Sequence, residues 1–232
     1  MSIRYLLSTV AVLLLLPQNA FADGSDGNRY SNFLTRAYHS EISAASAYLN
    51  TTESKKEKRH RRRHHDDDDE QQALIIDVRT VEEYVGGHPS RAYSIPFPHI
   101  YNRQRNPAKG DYIPQDPADF VAAVNDLDLP KDTLIITMCR TGYRSVLAGN
   151  LLAAEGYTNV RNMWQGFVGR LKQNIAGDNL DLNGDGAVDS GPYSGDLDGW
   201  ANYQELPISM KLKYRRLYEP YISLYFSVTG ER

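Results

Sequence analysis

The stretch from Leu134 to Glu155, LIITMCRTGYRSVLAGNLLAAE, constrains this chain more than any other. Leu134-Ile135-Ile136-Thr137-Met138 is apolar and β-branched, too short for a helix, and reads as a buried parallel strand. Leu147, Leu151 and Ala154 recur at helical spacing, and Gly156 stands where a helix-stop glycine belongs. Between them, Cys139-Arg140-Thr141-Gly142-Tyr143-Arg144 turns the chain at the carboxyl end of a strand, where open α/β sheets place their ligands. Cys139 is the chain's one cysteine. At a helix N-terminus with two arginines beside it, its sulfur is a candidate reactive thiolate rather than an inert core thiol.

The rest of the composition sets that thiol in context. A chain of 232 residues, 41% hydrophobic with a formal net charge of -3, can bury a real core and has no global bias toward nucleic acid. Residues 1–22 stand apart. Arg4 precedes an apolar run from Leu6 to Leu16, Pro17 breaks it, and Ala20-Phe21-Ala22 supplies small residues for cleavage before Asp23. The run falls short of the roughly 20 residues of a spanning helix, so a cleaved signal peptide is expected rather than an anchor. No cysteine near that site offers a lipid attachment point. The expected location is periplasmic or secreted, with no membrane span after cleavage. An exported chain with a single cysteine cannot form an internal disulfide, which again singles out Cys139.

In chain order, residues 23–37 read as a polar, mobile leader, and a helical pattern runs from about Phe33 to Leu49, with Ile42, Ala45 and Leu49 on one face. Residues 54–71 form a charged insertion. Its basic block from Lys55 to Arg63 meets His64, His65 and Asp66 to Glu70, without the fixed spacing of a structural metal site, so it reads as a solvated loop. Ala73 to Ile76 repeats the buried-strand signature and ends in Asp77-Val78-Arg79. A short helical turn at Glu82 to Val85, a short strand from Ala92 to Phe97 and a proline-rich surface loop over residues 98–117 follow. A helix from Ala118 to Leu127 and a strand from Asn159 to Met163 complete an alternation of strands and helices that argues for a parallel α/β sheet.

Residues 168–198 are a second insertion, rich in Gly, Asp and Asn. Within it Asp181, Asn183, Asp185 and Asp189 fall at positions 1, 3, 5 and 9 of a calcium-loop pattern, with Gly186 at position 6. Position 12 is Pro192 where a bidentate Glu belongs, so the loop fits either a structural calcium ion, closed by Asp196 or Asp198, or a metal-free acidic turn. Residues 209–232 form a C-terminal extension, Tyr-rich and basic, expected to pack on the domain.

Taken in order, these motifs resemble the rhodanese-like domain. The likeness runs from about Ile42 to Pro207 through Asp77 and Arg79, Glu83-Tyr84, Gly87-His88, Ile95-Pro96, the cysteine loop, Gln165-Gly166-Phe167, Gly199-Trp200 and Leu206-Pro207. It departs at Gly87 to Ala92, GHPSRA, where many relatives read Gly-His-Ile-Pro-Gly-Ala. The resemblance implies an α/β fold, a central parallel sheet flanked by helices, over residues 38–208, with the loops above as insertions. It also implies a thiosulfate sulfurtransferase that needs no cofactor. Cys139 would take a sulfane sulfur from a small anionic donor as a persulfide and pass it to cyanide, a thiol or a protein acceptor. The alternative it leaves open is a persulfide carrier or partner-binding module with little free turnover.

The residues fit that chemistry independently. A thiolate is the nucleophile, and backbone N–H groups of a turn can hold an anionic sulfur. Arg144 and Arg140 are expected to steer and bind a dianionic donor, with Thr141 and Tyr143 completing the binding loop. Gly142 gives the loop freedom to curl, and Ser145 caps the helix or donates to the bound anion. Asp77 and Arg79 are expected to support the site structurally. Related phosphatases use Cys-x5-Arg, whereas arginine here falls at Cys-x4-Arg. The shorter loop suits a smaller reacting centre, sulfur, and disfavours phosphatase or arsenate reductase chemistry.

Overall fold

The computed structural model describes residues 35–52, 73–104, 109–191 and 194–229. The expected signal peptide, nearly all of the leader and the charged insertion lie outside the described residues.

The strand before the cysteine sits at the middle of the molecule. A five-stranded sheet has the order β1-β8-β7-β2-β4, every pairing parallel. Its strands are β1 (Ser40–Ile42), β8 (Val160–Met163), β7 (Ile135–Met138), β2 (Leu74–Asp77) and β4 (Tyr93–Ser94). All four residues of β7 are buried, as a central parallel strand covered on both faces requires. Each of Ile135, Ile136 and Met138, fully enclosed, contributes on the order of 1.5–3 kcal/mol of burial. The helices α1 (Ala44–Thr51), α2 (Val81–Val85), α3 (Pro117–Asn125) and α4 (Arg144–Ala154) fall between strands in sequence, the alternation expected of this class. Asp116 caps α3 by accepting from the Ala118 N–H at 2.7 Å, and Pro117 sits in the first turn where its missing N–H costs nothing. Among the described residues no helix is long and apolar enough to cross a membrane.

Three expectations are corrected. The helix expected from Phe33 begins only at Ala44, because Ser40–Ile42 pairs with Arg161–Met163 as the edge strand β1. The Ser43 hydroxyl then accepts from the Ser46 N–H at 3.1 Å and starts the helix there. Its buried face is Ala44, Ala47 and Thr51, whereas Ala45 is exposed and Leu49 is 70% exposed. Residues 98–117 are not simply loop: β5 (His99–Asn102) and β6 (Tyr112–Pro114) pair antiparallel, with the His99 and Tyr112 rings stacked 4.6 Å apart. Their prolines only punctuate the pair, Pro98 just before one strand and Pro114 at the end of the other, where a missing N–H is tolerated. Finally, the domain boundary expected after residue 208 falls inside β9 (Ile208–Ser209), which pairs antiparallel with β3 (His88–Pro89).

The extension accordingly belongs to the core. Leu217, Tyr218 and Tyr225 are buried, and α5 (Ile222–Thr229) packs against α2. The Tyr225 ring meets Tyr84 edge-on at 6.1 Å, and its hydroxyl shares a 2.8 Å hydrogen bond with Ser94 Oγ on β4. A fully buried tyrosine needs such a partner, and this one ties the last helix to the sheet edge.

Candidate active site

β7 delivers Cys139 to the carboxyl edge of the sheet, where the side chain is 1% exposed. The loop after it is pinned from behind by the segment following β8. Phe167 N–H donates to the Cys139 carbonyl at 2.8 Å, and Val168 and Gly169 N–H donate to the Arg140 carbonyl at 2.9 and 3.1 Å. Two glycines let these backbones meet. A Cβ on Gly142, whose φ is +84°, would lie 2.1 Å from the Trp164 carbonyl oxygen. One on Gly166 would lie 2.6 Å from the carbonyl oxygens of both Cys139 and Arg140. Asn162 Nδ2 closes the turn by donating to the Gly142 carbonyl at 3.2 Å. The loop is therefore a fixed cradle.

Helix α4 starts immediately afterwards, at Arg144, with no side chain capping its first turn. The positive end of its dipole faces the turn that holds the cysteine. Ser145, fully buried, donates from Oγ to Cys139 Sγ at 3.4 Å. Of the two roles expected for Ser145, the structure shows a hydroxyl directed at the sulfur and none capping the helix.

Arg144, expected to bind the donor, is turned on Glu83 instead. Its Nη1 donates to Oε2 at 2.8 Å and its Nη2 to Oε1 at 2.9 Å, a bidentate pair across 61 residues of sequence. Glu83 Oε2 also accepts from the Thr80 N–H at 3.0 Å, so the carboxylate starts α2 while holding α4. Burial pushes the Glu83 carboxyl up, but the Arg144 charge and hydrogen bonds, with Arg79 and the Thr80 N–H, outweigh it and hold the group at about 2. Beside this pair, His99 is pushed down to about 4 by burial and by the Arg144 charge.

Asp77 and Arg79, expected to support the site, pair with each other at the end of β2. Arg79 Nη2 donates to Asp77 Oδ2 at 2.6 Å and to the Gly87 carbonyl at 2.7 Å, and its guanidinium lies 3.8 Å from the centre of the Phe167 ring. Both side chains are buried, and Phe167 is the residue bonded to the Cys139 carbonyl, so the pair braces the cradle from below.

The outer side of the loop carries residues that sequence spacing did not single out. Arg170 Nη2 donates to Thr141 Oγ1 at 3.4 Å. Asp198, nearly fully buried, accepts from the Arg170 N–H at 2.8 Å and pairs with Lys172 Nζ at 2.9 Å. Lys172 in turn lies 4.4 Å over the Trp164 ring. Arg140, Thr141 and Tyr143 are half-buried beside them. These cations sit in the Gly/Asp-rich insertion, 31 and 33 positions beyond the cysteine, and no local motif marks them.

The calcium-loop candidates close on their own backbone. Asp181 accepts from the Gly184 and Gly186 N–H groups at 2.6 and 2.8 Å, Asn183 from Asp185 N–H at 3.1 Å, and Asp185 from Ala187 N–H at 2.9 Å. Asp189 contributes its N–H to Asp196, whose buried carboxylate also accepts from Leu182 and Asn183. Those three donors, Asp189 first, hold the Asp196 carboxyl below its ordinary range. Among the described residues no group of three or more His, Cys, Asp or Glu side chains is placed to hold a metal ion.

What the cradle offers chemically is one enclosed sulfur with a hydroxyl donor on it, at the positive end of a helix. Comparison with known proteins bears on the family. Residues 60–172 match the rhodanese-like domain. An uncharacterized protein of Rickettsia prowazekii is 33% identical over 98 residues, 42% of this chain and 71% of its own. Thiosulfate sulfurtransferase 18 of Arabidopsis thaliana is 31% identical over 93 residues, 40% of this chain and 62% of its own. A crystal structure of Rv0390 from M. tuberculosis covers 75% of this chain and 99% of its own at 20% identity, with a TM-score of 0.38, too loose a match to argue from. The parallel sheet, the cradle at its carboxyl edge and the matched sequence agree: the chain belongs to the rhodanese-like domain family.

Proposed function

We propose that this protein is a sulfurtransferase that carries a sulfane sulfur on Cys139, taking it from thiosulfate or a similar small anion. The observation that supports this most directly is the Ser145 hydroxyl donating to Cys139 Sγ inside the closed loop. In the first step the Cys139 thiolate attacks the outer sulfur of thiosulfate. A Cys139 S–S bond forms, the donor's S–S bond breaks, and its electron pair leaves with sulfite, so charge is conserved and no oxidant is needed. In the second step cyanide or a thiolate attacks the terminal sulfur of the persulfide and the thiolate of Cys139 is regenerated.

The surroundings suit each stage. The persulfide sulfur is an anion, and the helix N-terminus and a hydroxyl donor favour it. A hydrogen bond to a charged group is worth about 1.5–3 kcal/mol, so Ser145 alone corresponds to roughly a tenfold to hundredfold effect on that anion. Burial of the sulfur favours small donors and acceptors that fit the loop mouth over bulky ones. The reaction requires no cofactor, and residues 1–22 support an exported, periplasmic or secreted setting.

Intact-mass measurement of the protein with and without thiosulfate tests the reading. One added sulfur that is absent in Cys139→Ala, and lost again on adding cyanide with release of thiocyanate, is expected. Sulfur that stays on the protein in the presence of cyanide would make this a persulfide carrier. An unmodified cysteine with every sulfane donor tried would end the proposal.

A further inference from the structure

We propose that the strap from Ile208 to Arg215 lays this protein on an anionic phospholipid surface, with Lys211 and Lys213 on lipid phosphates and Met210 and Tyr214 entering the headgroup layer. This surface goes beyond sulfur transfer and does not depend on it.

The pattern begins in the sequence. Apolar and polar residues alternate through Ile208-Ser209-Met210-Lys211-Leu212-Lys213-Tyr214-Arg215. From Leu206 to Tyr218 the cations are Lys211, Lys213, Arg215 and Arg216, and no carboxylate falls among them; Glu205 and Glu219 lie just beyond either end. The fold leaves both kinds of side chain in solvent. Ile208 is 39% exposed, Met210 70% and Tyr214 64%, and Lys211, Lys213 and Arg215 are exposed with them. Arg215 and Arg216 share a hollow with Asp119, Asp126 and Glu219, so the positive field is concentrated at Lys211 and Lys213. Among the described residues no carboxylate is paired with either lysine.

The strap is also shaped in advance. Ile208 pairs with Pro89 and Ser209 with His88, where β9 meets β3. Just before it, Trp200 Nε1 donates to the Pro207 carbonyl at 3.0 Å. Leu212 is half-buried against the core, and the Tyr214 ring stacks on Phe226 of α5 with centres 4.7 Å apart. Beyond it, Arg216 Nη1 donates to the Ser90 carbonyl at 2.9 Å, and Leu217 is buried. Met210, Lys211 and Lys213 therefore stand on a backbone fixed on both sides, so little ordering entropy is lost when they meet a partner.

A bilayer surface uses both halves of this pattern. A tyrosine ring suits the headgroup level, and a methionine gains by leaving water. Lysine stems lie along the apolar layer while their ammonium groups reach the phosphates. A nucleic acid would engage the cations and leave Met210 in water. A second copy of the chain would set lysine against lysine.

Vesicle partition of the full chain tests this, comparing phosphatidylcholine alone with phosphatidylcholine holding roughly a third phosphatidylglycerol. Binding to the anionic vesicles is expected to exceed that to the neutral ones and to weaken as salt is raised. Lys211→Gln combined with Lys213→Gln should lower the anionic partition about 25-fold, about fivefold per charge. Met210→Ser should lower it about three- to tenfold with the charge unchanged. The apolar run and the basic block earlier in the chain are the same in every variant, so these differences report on the strap. Met210→Trp reads it locally and keeps both lysines, should the double variant not fold. Its added emission is expected to move to shorter wavelength with anionic vesicles and to be quenched by brominated lipid. Parental partition in the double variant, or a Met210→Trp emission that anionic vesicles leave unmoved, would overturn the proposal. So would binding to a single-stranded oligonucleotide as tight as to the vesicles and unaffected by Met210→Ser, which would make the strap a general polyanion site.

Discussion

Arg144 and Glu83 join the start of α4 to the start of α2 through two parallel hydrogen bonds of 2.8 and 2.9 Å. An arginine at Cys-x4-Arg invites assignment to the substrate, yet its geometry matches a carboxylate already present in the fold. The side chains are each 20% exposed, so the pair is shielded without being sealed. It clamps the helix that carries Ser145 against the turn that follows Asp77 and Arg79.

The clamp has a pH signature. The Glu83 carboxyl is lowered from an ordinary 4.5 to about 2 in the folded chain. A depressed carboxyl contributes stability that is fully present above the unfolded value and disappears as pH falls through the folded one. That contribution amounts to about 3 kcal/mol. Glu83→Gln is expected to lower Tm by about 5–10 °C at pH 7. The gap between variant and parent should close as pH is taken from 5 down to 2, measured by thermal melts across that range. A gap that stays constant with pH would show that the loss is one of shape, not charge.

Ser145 makes a second, kinetic prediction. Ser145→Ala removes one hydroxyl from a buried position in the first turn of helix α4 and leaves the loop's backbone bonds in place. Persulfide formation on Cys139 should slow by roughly tenfold, with unfolding free energy lowered by no more than about 1–2 kcal/mol. Time-resolved intact mass with thiosulfate reads the first, and thermal denaturation the second. An unchanged rate would remove the hydroxyl from the chemistry.

The cysteine loop and its strand and helix were legible because each signal is local: an apolar run, a turn glycine, a helical spacing and a stop glycine all lie within 25 residues. The Asp77–Arg79 pair was legible for the same reason, two residues apart at a strand end. The Arg144–Glu83 pair was not, because nothing in Cys-x4-Arg says which anion the guanidinium meets 61 positions away. Arg170 and Lys172 were missed because the insertion that carries them reads as polar turn, and only its bonds to Arg140, Thr141 and Asp198 give it direction. The strand β1 was hidden inside a helical pattern, since a three-residue edge strand has too few positions to show a period.

Gly142 gives a sharp steric test. Its φ of +84° lies where a side chain is strained, and an added Cβ would stand 2.1 Å from the Trp164 carbonyl oxygen. Neither atom can yield without moving the loop or the segment behind it, because Trp164 N–H is itself bonded to the Ile42 carbonyl at 3.2 Å. Gly142→Ala is expected to cost about 1–3 kcal/mol from backbone strain and to lower persulfide formation by more than tenfold through displacement of the cradle. Denaturant unfolding and the thiosulfate mass assay measure the two effects. Full activity in this variant would contradict a rigid cradle.

The last prediction concerns the chain's final helix. Tyr225 is fully buried, meets Tyr84 edge-on, and bonds Ser94 on the edge strand β4. Tyr84 stacks on His88 at 3.8 Å, and the His88 Nδ1–H donates to the Tyr84 carbonyl at 2.9 Å. Burial holds the His88 imidazole below its ordinary value under this aromatic cluster. Removing residues 210–232 would expose Tyr84, Ser94 and the β4 edge together, and that edge would then offer unpaired backbone groups to other chains. Such a truncation is expected to give insoluble or unfolded protein. Tyr225→Ala in the full chain should cost about 3–5 kcal/mol, and Tyr225→Phe only about 1 kcal/mol, since the ring is kept and one hydrogen bond is lost. Urea titrations of the two point variants give these values directly. A stable, soluble truncated chain with parental Tm would show that the C-terminal segment is an appendage, against the buried contacts of Leu217, Tyr218 and Tyr225.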